Sequence, residues 1–110
     1  MNAKVEIDAG ICGFHTKASA ISEDSQNVTF EIDSDCEKVC KLAEALKEKG
    51  AIDAYQEISP ASPSVVLETV RSVLKGCCAA CAVPVGIFKV MQVAAGLALP
   101  KEITIKLEKE

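Results

Sequence analysis

Hydrophobic and polar positions first alternate along this chain, then recur at helical spacing, and alternate again at its end. Lys4 to Asp8 places Val5 and Ile7 on one face and predicts a short strand. Gly10-Ile11-Cys12-Gly13 breaks the pattern with two glycines around a cysteine. Phe14 to Ile21 alternates weakly, Ser22 to Asn27 has turn chemistry, and Val28, Phe30 and Ile32 alternate with Thr29, Glu31 and Asp33. Two such runs joined by a polar turn predict an antiparallel hairpin.

Ser34-Asp35-Cys36-Glu37 has the spacing of a capping box. Cys36, Val39, Cys40, Ala43 and Leu46 then follow helical spacing as far as Gly50, a natural stop. Residues 51–58 read as a loop or short strand. Ser62-Pro63 opens a second helix with an expected buried stripe of Val66, Leu67, Val70, Val73 and Leu74, ended by Gly76. Cys77-Cys78-Ala79-Ala80-Cys81 follows. A third helix is expected from Pro84 or Val85 to about Leu99, stopped by Pro100, and Ile103, Ile105 and Leu107 predict a closing strand. The expected fold class is α+β, in β-β-β-α-α-α-β order, with three helices covering one face of a small antiparallel sheet.

At 110 residues this is expected to be a single domain, residues 1–110. With 49% hydrophobic and 25% charged residues the composition is that of a folded globular chain, which excludes disorder, collagen and coiled coil. Aromatics at 4% leave the core to aliphatic side chains and cysteine. A net charge of −4, with basic residues scattered and no aromatic interleaving, speaks against nucleic acid and anionic membranes as partners. The apolar stretch from Ala79 to Leu99 contains Lys89 and Gln92 near its middle and Pro84 and Gly86 within it, so a buried helix is expected there instead of a membrane span. The beginning of the chain has no secretory pattern, and the expected compartment is the cytoplasm.

Six cysteines are the abnormal feature. In a reducing compartment they stay as thiols. Thiolate sulfur favours zinc, Cu(I) and iron–sulfur clusters. Cys12, Cys36 and Cys81 lie at element ends, where glycine-freed N–H groups or a helix N-terminus favour negative charge. They are the candidate metal ligands, with an iron–sulfur cluster or zinc as the expected cofactor. Cys40, one turn beyond Cys36, is either a fourth ligand or a core residue, and the core reading is favoured because free cysteine is commonly buried. Cys77 and Cys78 are adjacent and cannot normally both reach one ion, although Cys78 and Cys81 form C-x-x-C. His15 is a further candidate ligand, but strand alternation turns it towards solvent.

No P-loop, paired-carboxylate or other complete catalytic motif is present, so no catalytic residue is assigned and an enzyme is the weaker expectation. Two alternatives stand beside metal binding: a thiol enzyme or sulfur carrier using a low-pKa cysteine, and a structural or interaction domain whose cysteines only fill the core.

The order and setting of Cys12-Gly13, Cys36 and Cys81, over roughly residues 5–99, resemble the scaffold proteins of iron–sulfur cluster assembly of the NifU N-terminal type. That resemblance implies a similar α+β fold, three cysteines converging on a cluster or zinc, and a protein partner receiving cluster or sulfur. The chain departs from that pattern at Phe14, where the scaffolds carry an acidic residue, and at Ala80, where they carry histidine. The segments Ala9 to Phe14 and Cys81 to Pro84 also resemble a small uncharacterised cysteine-containing family of anaerobic microbes, a likeness that implies no activity.

Overall fold

The computed structural model describes residues 1–110. Three strands follow one another, β1 (Asn2–Asp8), β2 (His15–Ile21) and β3 (Asn27–Ser34). Helix α1 (Glu37–Glu48) leads to a two-residue strand, β4 (Ile52–Asp53), and a single helical turn, α2 (Ala54–Glu57). Helix α3 (Val65–Val73), a 3₁₀ turn (Gly76–Ala80) and helix α4 (Val83–Ala94) complete the regular structure. The sheet is antiparallel throughout, in the order β1-β2-β3-β4. An α+β architecture with an antiparallel sheet is therefore present.

One layer of helices covers one sheet face. Helix α1 packs on β3, α4 on β1 and β2, and α3 against α1 and α4. Alternation along the strands explains the sidedness. Ala18, Ala20 and Val28 are buried towards the helices, while Lys17, Glu31 and Asp33 lie on the exposed face. The small side chains Ala3, Ala18 and Ala20 let α4 come close, and its Val83, Ile87, Val90, Met91 and Ala94 fill the interior.

Gly86 sets that approach. A Cβ at this position would lie 2.4 Å from Ile7 Cδ1, 2.8 Å from Ile7 Cγ1 and 3.4 Å from Val5 Cγ2. Glycine thus allows the first turns of α4 to rest directly on the end of β1.

The β2–β3 turn is organised by Asp24. Its Oδ1 accepts N–H groups from Gln26 (2.9 Å) and Asn27 (2.8 Å), and its Oδ2 accepts Asn27 Nδ2 (2.8 Å). Ser25 completes the turn in the left-handed region, at φ 60°. These hydrogen bonds favour the charged carboxylate, so the Asp24 pKa is lowered from 3.8 to about 2, chiefly by the Asn27 side chain. The sign follows from linkage: the turn's extra stability is complete above the unfolded value near pH 4 and is lost as pH falls through about 2. Carboxyl-carbon NMR titration should find this midpoint; one at the ordinary aspartate value near 3.9 would contradict the arrangement.

Several expectations are corrected. The closing strand does not form: residues 95–110 contain no strand, and Ile105 and Leu107 are exposed. Helix α4 ends at Ala94 instead of near Leu99. Gly96, at φ 75°, makes a Schellman stop in which Leu97 N–H donates to Gln92 C=O (2.8 Å) and Gly96 N–H to Val93 C=O (3.0 Å). The capping box is not made either. Cys36 is the N-cap of α1, while Ser34 ends β3 and accepts the Cys36 N–H at 3.1 Å. In α3 the buried stripe is Val66, Thr69 and Val70; Leu67 is exposed, and the Thr69 hydroxyl is satisfied by Val65 C=O at 2.7 Å. Residues 76–94 are apolar and long enough in helical form to cross a membrane, but they fold as the 3₁₀ turn followed by α4 on the sheet.

Candidate functional site: a rim of thiols

Three segments meet at one end of the sheet. Asp8 at the end of β1 pairs with His15, and Thr16 pairs with Ser34 at the end of β3. The β1–β2 loop, the β3–α1 junction and the segment leading into α4 are therefore neighbours, the last through Gly86 on Ile7. Each brings a cysteine.

Cys12 sits in a turn closed by Gly13 N–H donating to Gly10 C=O at 2.9 Å, with both glycines at positive φ (89° and 75°). That conformation is open to glycine and costly for other residues, and it leaves Cys12 and Ile11 exposed at the tip. Cys36 has extended backbone as N-cap of α1, and its side chain makes no capping bond, which leaves the sulfur free. It is half-buried against the core. Cys81 follows the 3₁₀ turn, its N–H donating to Cys78 C=O at 3.2 Å, and is half-buried just before α4.

These thiols feel one another. Burial pushes the Cys81 pKa up from its ordinary value, and the neighbouring Cys12, Cys36 and Cys78 push it further, because a new thiolate would face like charges. The Val83 N–H at the start of α4 opposes this by hydrogen bonding to Cys81. The charges of Cys12, Cys36 and Cys78 all bear on Cys81.

The remaining candidates are all exposed. Cys40 is exposed on α1, its thiol donating to Ser34 C=O at 3.2 Å, which corrects the core reading: the inward stripe is Val39, Leu42 and Leu46, one helical step out of phase with Cys40. Cys77 is exposed on the 3₁₀ turn. His15 is exposed at the head of β2, as alternation predicts, with its backbone N–H held by Asp35 Oδ1 at 2.8 Å. All six cysteines are free thiols, and none is fully buried. As the side chains stand, no three His, Cys, Asp or Glu groups are set for joint coordination of one ion.

One polar group had no signal in the sequence. Glu57, only 6% exposed, ends α2 and caps α3. Its Oε1 accepts Ser64 Oγ (2.7 Å) and Val66 N–H (2.8 Å), and its Oε2 accepts Val65 N–H (2.8 Å). This anchors the N-terminus of α3, the helix that leads on to the 3₁₀ turn carrying Cys78.

Fold and site together define a small α+β protein with a thiol-lined end. Residues 3–107 match DUF6951, a family of unknown function, and the chain belongs to that family. No curated protein and no solved structure matches it.

Proposed function

We propose that the rim formed by Cys12, Cys36, Cys78 and Cys81 binds a thiophilic metal centre, zinc or an iron–sulfur cluster. The observation that supports this reading is that Cys12, Cys36 and Cys78, half-buried or exposed thiols of three segments at one end of the sheet, all bear electrostatically on Cys81. A cysteine used only as core filling would be sealed among aliphatic side chains, and none of the six is. Gathering thiolates without a cation is unfavourable, since each raises the cost of ionising the next. A soft divalent cation or cluster reverses that sign and favours all of them as thiolates. Neither Cys12 nor Cys36 is held by a side-chain hydrogen bond, so both are free to change rotamer on binding an ion.

The same electrostatics weigh against an activated nucleophile. Cys81, with its pKa raised, is protonated at neutral pH, the opposite of what a thiol enzyme or sulfur carrier requires. A scaffold-like role, passing a cluster to a protein partner in the cytoplasm, fits the openness of the rim, where Ile11 and Phe14 beside Cys12 are exposed.

Anaerobic reconstitution with iron and sulfide, and separately with zinc, tests the proposal through visible absorption and elemental analysis. Stoichiometric metal is expected in the native chain, and a loss of at least tenfold in affinity in the Cys12→Ser/Cys36→Ser/Cys81→Ser variant. Affinity should rise with pH as thiol protons are released. Absence of metal from both reconstitutions, or equal uptake by the variant, would refute it.

A further inference from the structure

The segment after α4 keeps the sequence of a strand and has nothing to pair with. Ile103, Ile105 and Leu107 alternate with Glu102, Thr104 and Lys106, yet residues 98–110 make no backbone hydrogen bond. Leu107 is 91% exposed and Ile105 68%. The family match runs on to residue 107 and so includes this whole segment. At the other side of the molecule's chemistry, β1 is an edge strand, bonded to β2 alone. Its Val5 and Ile7 point towards α4 but remain half-buried, because no strand lies outboard of them. An open edge of seven residues and an unused strand of six are matched in length, about 23 and 20 Å.

We propose that residues 102–107 add to the free edge of β1 in a second copy of this chain, and that the two copies exchange these segments reciprocally. Charge distinguishes the two directions when residues 102–106 are laid on residues 4–8 of β1. Run parallel to β1, the segment sets Glu102 beside Lys4 and Lys106 beside Asp8, with Ile103, Ile105 and Leu107 on the helix-covered side next to Val5 and Ile7. Run antiparallel over the same residues, it sets Glu102 beside Asp8 and Lys106 beside Lys4, two like-charge contacts. The second copy, and not the chain's own edge, is taken as the occupant because the segment, although joined to the same chain, makes no backbone hydrogen bond to its own β1 and leaves Ile103, Ile105 and Leu107 exposed. Reciprocal exchange covers both open edges and all the exposed apolar side chains in one closed dimer.

The test is the mass of the full chain in solution by light scattering over a concentration series, with mixed-label NMR on a 1:1 sample of differently labelled chains. The expected result is twice the 11.6 kDa chain mass, with intermolecular contacts between Ile105 and Ile7. Ile105→Pro, at a position outside the monomer's packing, should give a folded monomer. Lys4→Glu should weaken dimerisation about tenfold, counting two edge contacts per dimer, and Glu102→Lys in the same chain should restore it. A single chain mass throughout, with the segment free or folded on its own β1, would overturn the proposal, as would a dimer that survives Ile105→Pro.

Discussion

Glu57→Ala lowers the unfolding free energy by about 3 kcal/mol, a large share of what a small domain has. The carboxylate is buried and accepts three short hydrogen bonds, two of them from the first N–H groups of α3 and one from the N-cap Ser64 hydroxyl. Charge-assisted bonds of this kind exceed neutral ones, and the helix dipole adds to them. Removing the side chain strands the Val66 N–H, itself buried, and leaves a void beneath the loop from α2 to α3. Glu57→Gln keeps an acceptor but sets an NH₂ against backbone donors, so a loss of about 1–2 kcal/mol is expected. Urea denaturation with unchanged slope measures both. A Glu57→Ala loss below about 0.5 kcal/mol, the range of an ordinary surface substitution, would contradict the capping role.

At Gly86 the expected loss is as large and reaches the thiols. A leucine there has no space against Ile7 and Val5, so α4 must lift from β1, and a cost of about 3 kcal/mol or more is expected. Alanine is a finer probe. It gains about 1 kcal/mol of helix propensity but drives a methyl group against Ile7, leaving a net loss of about 1 kcal/mol. Because the closest atom is Ile7 Cδ1, Ile7→Val in the same chain should recover part of that loss, with the Cγ1 contact at 2.8 Å remaining. Thermal denaturation of the single and double variants checks the coupling. Additive losses would mean that Ile7 is not what Gly86 accommodates. Since α4 starts two residues after Cys81, displacing it should also move Cys81 away from Cys12 and Cys36.

What was legible in the sequence was local periodicity. The hairpin of β2 and β3 and the starting strand β1 follow from alternation, and α1 from its stripe and the glycine after it. Phase was harder than period. Cys40 belongs to the hydrophobic alphabet, so it was counted into a stripe that is carried by Val39, Leu42 and Leu46. Leu67 and Thr69 were exchanged for the same reason: threonine can be buried once its hydroxyl bonds to Val65 C=O. The last strand failed differently, because alternation records a side-chain pattern but not the presence of a partner edge. Gly96 was a stop signal overlooked within an apolar run. For the candidate site, Cys12, Cys36 and Cys81 stand out in the sequence because each lies at an element end with a local reason to carry negative charge. The choice of Cys78 over Cys77 needed the 3₁₀ turn, and Glu57 left no trace because its partners lie seven to nine residues ahead, at the start of the next helix.

The most direct measurement of the central claim is thiol alkylation followed residue by residue by mass spectrometry, with and without zinc. The account predicts that zinc protects Cys12, Cys36, Cys78 and Cys81 together and leaves Cys40 and Cys77 reacting at their metal-free rates. Uniform labelling of all six cysteines at saturating zinc, or protection of Cys40 and Cys77 in place of that set, would contradict it.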